Sequence, residues 1–206
     1  MNYRIMRRNE REICAQIAAK TFESYEYFSV YVPDDTTRAQ FLRQMLHTEL
    51  IANRKDSVVL VAEENGHIAA VAMLCKPSHK KPSDLSYILA GFMKLFKIAG
   101  KETVNAWVAM EEQAGAPCHS ISDGSTWYLS LLVVSPAVQG KGIGSKMLQD
   151  GIIPFVKANG GKLLTLFTNA ERNCAFYEKN GFVKFDETSF QYNDKHLGSW
   201  SYKREV

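Results

Sequence analysis

The sequence predicts one α/β domain, residues 1–206, in which a central mixed sheet carries helices on both faces. Helical and strand-like patterns alternate along the chain, and 206 residues are enough for one sizeable core. The run 127–134 has apolar residues on both alternating faces, as a strand buried on both sides has. The dipeptide Asn65-Gly66 is a hairpin signal that joins two further strand patterns.

The first half of the chain is predicted to hold a strand, two helices and this hairpin. Residues 3–7 have the pattern of a short strand, and residues 10–22 place apolar side chains at helical spacing. Asp34 and Asp35 are suited to cap the second helix, whose apolar face includes Phe41, Met45 and Ile51. Between the helices we expect an aromatic loop that either lines a ligand pocket or packs on the helices, through Tyr25, Tyr27, Phe28 and Tyr31.

The second half continues the alternation and closes the sheet. Residues 142–158 have a helical pattern, which we expect to be kinked near Pro154 because proline disrupts the backbone hydrogen bonds of a helix. The remaining predicted elements are a strand over 162–167, a helix over 170–180 that Gly181 ends, and closing strands over 182–188 and 199–203.

Composition argues against several classes of protein. The net charge of +3 is too small to indicate a nucleic-acid partner, and no apolar run approaches the ~20 residues of a membrane span. The charged residues over 7–11 interrupt any signal peptide. The four cysteines show neither a Cys-x-x-Cys pair nor metal-ligand spacing, so we expect free thiols, no metal and a cytoplasmic location.

A glycine-rich turn follows the strand 127–134 and suits an anion that carries phosphate groups. The glycines let the backbone bend and approach a ligand, and the helix that follows offers unpaired N–H groups and a positive dipole end. A P-loop pattern is absent, and Ser145 stands where a dinucleotide fingerprint needs its last glycine. Alone, the turn would equally suit a simple connection without a ligand. Its residues are Gln139, Gly140, Lys141, Gly142, Ile143, Gly144 and Ser145.

The segment 173–182 supplies a second motif. It reads Asn-Cys-Ala-Phe-Tyr-Glu-Lys-Asn-Gly-Phe and places two polar side chains four residues apart on one helix face. Together with Gln139, Gly142 and Gly144, which satisfy Gln/Arg-x-x-Gly-x-Gly/Ala, it resembles the central motifs of the GNAT superfamily of N-acetyltransferases. The resemblance implies the acyl-CoA N-acyltransferase fold, with a mostly antiparallel sheet, and acetyl transfer from acetyl-CoA to an amine.

The resemblance also implies roles for individual residues. Tyr177 would protonate the CoA thiolate as it leaves, and Asn173 would contact acetyl-CoA together with the turn 139–145. Phe176 would also contact the cofactor. The alternative is that it packs in the core. Backbone N–H groups near a strand bulge would stabilise the oxyanion and pair with the pantetheine arm, at Leu132, Val133 and Val134.

The general base is less well defined by the sequence. An amine is mostly an ammonium ion at neutral pH, so it must lose a proton before it attacks a thioester. We rank Glu111, which follows an apolar helical pattern, and His119, which we expect in a loop near the reactive strand, above Glu49, Glu112 and Asp123. Deprotonation through ordered water, with no dedicated residue, is the alternative.

The segment of about 77–125 replaces the short turn that is usual at this point of the superfamily. An apolar stripe from Leu85 to Ala99, ended by Gly100, and a second helical pattern over 102–113 predict a helical insertion. The insertion would cover one sheet face, shape the acceptor pocket, or do both.

The layout is most similar to the puromycin N-acetyltransferase type of the superfamily. The features that carry this likeness are the insertion, the entry Trp127-Tyr128-Leu129 and a closing Trp200. It implies a small-molecule acceptor, and we expect the acceptor group to be a primary amine. We also expect a monomer or homodimer. A protein or peptide N-acetyltransferase and a non-catalytic acyl-CoA-binding sensor of the same fold are the alternatives.

Overall fold

The computed structural model describes residues 1–121 and 123–206, so Ser122, within the predicted insertion, lies outside it. The described strands form one sheet in the order β1-β2-β3-β4-β5-β7-β6. The strands are β1 (Asn2–Ile5), β2 (Ser57–Glu64), β3 (His67–Cys75), β4 (Thr126–Val134), β5 (Leu163–Thr168), β6 (Val183–Tyr192) and β7 (Lys195–Glu205). The helices are α1 (Arg11–Phe22), α2 (Glu26–Tyr31), α3 (Asp35–Ala52), α4 (Asp84–Leu89), α5 (Met93–Ala99), α6 (Lys101–Ser120), α7 (Ile143–Lys146), α8 (Ile153–Ala158) and α9 (Cys174–Lys179).

Helices cover both faces of the sheet, which confirms the predicted fold class. One core joins α1, α2, α3 and α6 to the first face through side chains such as Phe41 and Trp107. A second core joins α7, α8 and α9 to the opposite face through side chains such as Met147 and Tyr177. Every neighbouring pair of strands is antiparallel except β4 and β5, so the sheet is mixed and mostly antiparallel as expected.

Strands β4 and β5 separate after a short paired stretch. Only Thr126–Tyr128 of β4 pairs with Leu163–Thr165 of β5, although both strands continue beyond these residues. A bulge at Ser130 interrupts the pairing with β3, since Met73 opposes Leu131 while Leu74 opposes Leu129. The side chains of β4 therefore change faces at the bulge, and the strand contributes to both cores.

Local sequence signals are confirmed where they rest on backbone geometry. Asn65 and Gly66 have φ of 51° and 79°, as a tight hairpin turn requires. The Oδ1 atom of Asp34 accepts from the Thr37 amide at 2.8 Å and so caps α3. Near Pro154, the predicted irregularity takes the form of a π-helical segment, Met147–Ile152, that joins α7 to α8. Gly181, with φ of 80°, follows α9 as predicted.

Two expectations about local structure were wrong. The aromatic segment predicted as a loop contains helix α2, because Tyr27, Phe28 and Tyr31 are buried together in the first core. The apolar stripe of the insertion breaks into α4 and α5 at Gly91, whose φ is 101°. As a result Leu89 keeps 79% of its surface exposed.

Candidate acetyl-transfer site

The glycine turn leads from β4 into α7 with the geometry that its sequence predicts. Gly140 and Gly142 have φ of 78° and 73°, and a Cβ at either position would have no heavy atom within 4 Å. The space beside this backbone is therefore open. Gly144 has a packing role instead, since a Cβ there would lie 3.2 Å from Cζ of Phe176. The ring of Phe176 thus supports the turn by packing against it.

The free edge of β4 offers backbone groups beside this turn. The Ser135 amide donates to the carbonyl of Ala69 in β3 at 2.8 Å. Because backbone groups alternate along an antiparallel strand, Leu132 and Val134 direct their amides to the other side, where β5 has separated. Val133 directs its amide toward β3, so the expectation that it also donates to a ligand was wrong.

Tyr177 is buried between the sheet and α9. Its ring centroid lies 5.1 Å from that of Phe176, 5.6 Å from Phe182 and 5.8 Å from Tyr202. Burial, with a smaller effect of Tyr25, raises the pKa of the phenol above its ordinary value. The hydroxyl is therefore protonated at neutral pH and is able to give up a proton.

Asn173 anchors the start of α9 to the end of β5. Its Nδ2 atom donates to Oγ1 of Thr168 at 3.0 Å and lies 3.4 Å from the hydroxyl of Tyr25. That hydroxyl also hydrogen-bonds Thr168 Oγ1, at 3.0 Å. These contacts hold the loop after β5 against α2, and both Tyr25 and Thr168 line the large cavity described next.

A cavity of about 1070 Å³ adjoins the point where β4 and β5 separate. Helices α2, α3, α4, α5 and α6 and strands β3, β4 and β5 all contribute to its wall. The wall is rich in aromatic rings, among them Phe22, Tyr25, Tyr27, Phe28, Tyr87, Phe92, Phe96, Trp107, Tyr128 and Phe167.

Glu111 lines this cavity from the middle of α6. The hydroxyl of Tyr27 donates to its Oε1 atom at 2.7 Å. Burial raises the pKa of Glu111, although this hydrogen bond acts in the opposite direction. A carboxylate that is half-buried among aromatic rings is suited to take up a proton.

His119 lines the same cavity, but from the last turn of α6 and not from a loop as expected. The helix continues past Pro117 to Ser120, and the imidazole packs on Tyr128 with ring centroids 4.7 Å apart. Burial, followed by the effect of His79, lowers the pKa of His119, so the ring is neutral at pH 7. The structure thus brings the two favoured candidate bases to one cavity.

Two lower-ranked candidates have other partners. Oδ1 of Asp123 accepts from the Ser125 amide at 2.9 Å and from the Thr126 hydroxyl at 2.8 Å, which organises the turn before β4. The exposed carboxylate of Glu112 pairs with Lys81.

Glu49, also ranked low, is a prominent polar residue of the cavity. Its Oε2 atom accepts from Nδ2 of Asn53 at 2.8 Å and lies 3.4 Å from the hydroxyl of Tyr87. Burial, with the charge of Glu111 second, raises the pKa of Glu49 to about 7. A sequence signal existed: Glu49 follows Phe41 and Met45 at four-residue steps, so a carboxyl group lies on the apolar face of α3.

We expect Glu49→Gln to stabilise the protein above pH 7. The folded state disfavours the ionised form of Glu49, so this residue contributes most to the free energy of unfolding below its ordinary pKa of 4.5. That contribution is lost as pH rises toward about 7. Glutamine does not ionise, and the variant should gain about 2 kcal/mol in the free energy of unfolding at pH 8 and little at pH 4.5. Urea unfolding at both pH values measures this. Glu102→Gln, on the exposed start of α6, is the control, and an equal gain at both pH values would contradict the expectation.

Comparison with known proteins agrees with the fold. Residues 102–184 match the sequence family described as acetyltransferase (GNAT) domain. A structure of histone acetyltransferase HPA2 and related acetyltransferase from Corynebacterium glutamicum shares 18% identity at a TM-score of 0.68, covering 100% of this chain and 96% of that one. Ribosomal-protein-alanine N-acetyltransferase from Brucella melitensis shares 15% identity at a TM-score of 0.59, covering 100% of both chains.

A third solved structure is a GNAT family acetyltransferase from Elizabethkingia anophelis with acetyl-CoA bound. It shares 14% identity at a TM-score of 0.52 and covers 100% of this chain and 97% of its own. Likeness at these identities shows the fold alone, and the family match assigns a GNAT acetyltransferase domain to residues 102–184. Acetyltransferases of this family use acetyl-CoA as their acetyl donor.

Among the helices of the described residues, none combines the length and the hydrophobicity that crossing a membrane requires. No cluster of three or more His, Cys, Asp or Glu side chains in residues 1–121 and 123–206 is arranged to hold a metal ion.

Proposed function

We propose that this enzyme transfers acetyl from acetyl-CoA directly to a primary amine of a small molecule. The proposal rests on two adjacent features. Strand β4 separates from β5, and next to this point lies a cavity that is lined by carboxyl groups and by residues of the insertion. The first suits the thioester arm of the donor, and the second suits an amine.

The donor would bind along the free edge of β4 and at the turn 139–145. The outward amides of Leu132 and Val134 suit the amide groups of pantetheine and the oxyanion. The open backbone at Gly140 and Gly142 and the start of α7 suit the pyrophosphate, and Lys141 adds a positive charge. Phe176 holds the turn in place through Gly144, and Asn173 positions α9.

The acceptor side of the reaction would depend on Glu111. In this proposal its carboxylate takes a proton from the ammonium group, and the free amine forms a C–N bond to the acetyl carbon. As the C–S bond breaks, Tyr177 gives its phenol proton to the sulfur of CoA. The nitrogen of the new amide releases its second proton to solvent, from which the Tyr177 phenolate is reprotonated. The neutral imidazole of His119 is the second candidate base, since it lines the same cavity.

The insertion supports a small acceptor. Helices α4, α5 and α6 all line the cavity, and the hydroxyl of Tyr87 in α4 lies 3.4 Å from Oε2 of Glu49 in α3. The volume of about 1070 Å³ compares with the roughly 300–1,000 Å³ of small-molecule sites. The walls combine many aromatic rings with a set of charged and polar side chains, a composition that suits an amine on an apolar body.

We expect Glu111→Gln to lower kcat by about a hundredfold at pH 7, because a glutamine amide does not accept the ammonium proton. For the wild type, kcat/KM should rise with pH through the raised pKa of this carboxyl, since the ionised form is the active base. In the Glu111→Gln variant, kcat/KM should not show this rise with pH. Initial rates of CoA release between pH 5 and 9 measure both effects.

Glu102→Gln serves as the control on the same helix and should behave as the wild type. If Glu111→Gln keeps the turnover and pH profile of the wild type while His119→Asn loses them, His119 is the base instead. If neither substitution matters, deprotonation does not use a side chain of this cavity.

A further inference from the structure

The cavity holds two carboxyl groups that form no ion pair within the part of the chain that the structure describes, Glu49 and Glu111. Two lysines also line the cavity, but each has another partner: Lys81 pairs with Glu112, and Nζ of Lys76 donates to the carbonyl of Lys55 at 3.0 Å. Carboxylates in an apolar environment are costly unless a cation compensates them, so this cavity favours a positively charged ligand.

The two carboxyl groups belong to separate polar clusters. Glu111, on α6, is held by Tyr27 of α2. Glu49, on α3, is held by Asn53 of the same helix end and faces Tyr87 of the insertion. The cluster of Glu111 lies near Tyr25, which hydrogen-bonds Thr168 of β5, and the cluster of Glu49 lies next to Tyr87 of α4.

The cluster around Glu49 is ordered to present an acceptor. The Oδ1 atom of Asn53 and Nε2 of His79 lie 3.1 Å apart, which directs the Asn53 amide nitrogen to Oε2 of Glu49. The described side-chain hydrogen bonds of Glu49 all use Oε2, so Oε1 remains available to a ligand. The aromatic rings and aliphatic side chains that make up much of the wall suit a hydrocarbon body, and the faces of the rings favour cations.

We propose that the acceptor is a diamine whose two amino groups are joined by an apolar or aromatic body. One amine reacts beside Glu111, and the other binds as an ammonium ion to Glu49. This inference rests on the proposed function, because it assigns the acceptor class of the same site. Glu49 is then a specificity-determining residue and takes no part in the chemical step.

The test compares two probes that differ only in the distal charge: 1,4-bis(aminomethyl)benzene and 4-ethylbenzylamine. A series of α,ω-diaminoalkanes from butane- to octanediamine, each beside the n-alkylamine of equal length, covers other spacings. We expect the wild type to show a kcat/KM at least about tenfold higher for the best diamine than for its matched monoamine, which corresponds to ~1.4 kcal/mol. Glu49→Gln should remove this preference by raising the KM of the diamine, with kcat nearly unchanged.

Calorimetric titration of the probes without acetyl-CoA provides a second readout. The diamine should bind the wild type more tightly than Glu49→Gln, and Glu102→Gln should match the wild type. Equal use of both probes by the wild type, or an equal loss for both in Glu49→Gln, overturns the diamine inference and leaves the acetyl transfer standing. Glu49-dependent binding of diamines that are never acetylated supports the diamine site and overturns the proposed reaction.

Discussion

Replacing Tyr177 by phenylalanine is expected to lower kcat about a hundredfold while the affinity for acetyl-CoA stays nearly unchanged. The phenol is the group that we assign to protonate the leaving thiolate, and its raised pKa keeps it protonated at neutral pH. The ring itself packs on Phe176, Phe182 and Tyr202, and phenylalanine preserves that packing. The expected loss is therefore chemical and not structural.

Stopped-flow or steady-state CoA release gives kcat, and calorimetry gives the dissociation constant for acetyl-CoA. Tyr202→Phe is the matched control, because Tyr202 lies in the same aromatic cluster and its hydroxyl donates to Glu178 at 3.0 Å. The kcat of Tyr202→Phe should stay within about twofold of the wild-type value, because the Tyr202 hydroxyl takes no part in the reaction. Undiminished turnover in Tyr177→Phe would remove Tyr177 from the mechanism.

Replacing Gly142 by alanine is expected to weaken acetyl-CoA binding by about tenfold. Gly142 has a φ of 73°, a left-handed conformation that costs an alanine roughly 1 kcal/mol, although no atom lies within 4 Å of the added Cβ. A shift of the backbone that relieves this strain would turn the first N–H groups of α7 away from the pyrophosphate.

Gly160→Ala separates strain from binding. Gly160 has a φ of 77° and the same open space, but it lies in the turn after α8. Both variants should lose a few degrees of melting temperature, and only Gly142→Ala should bind acetyl-CoA more weakly. Wild-type affinity in Gly142→Ala would show that the turn does not bind the donor.

The local structure around the turn 139–145 was predicted from short-range signals. A strand end, glycines and a helix start follow one another within a few residues, and the structure has β4, the turn and α7 in that order. Phe176 was harder to interpret, because its contact with Gly144 joins residues that are far apart in sequence. A contact between residues this far apart leaves no pattern in the sequence around either of them.

The features that sequence reasoning missed depend on how distant elements meet. The resemblance implied a bulge, but its position at Ser130 depends on the pairing between β3 and β4, which also directs the Val133 amide toward β3. The importance of Glu49 depends on α4 closing over α3, which the insertion's sequence does not reveal. Helix α6 extends to Ser120, beyond the periodic pattern of 102–113, so His119 lies in a helix and not in the predicted loop.

The most direct test of the central claim is the release of CoA thiol from acetyl-CoA across a panel of acceptors. The panel combines small amines, including diamines, aminonucleosides and aminoglycosides, with peptides that carry a free N-terminus or a lysine. We predict turnover with at least one small amine, reduced about a hundredfold by Glu111→Gln. Turnover with peptides only, or acetyl-CoA binding without turnover on any acceptor, would contradict the assignment of the cavity as a small-amine site.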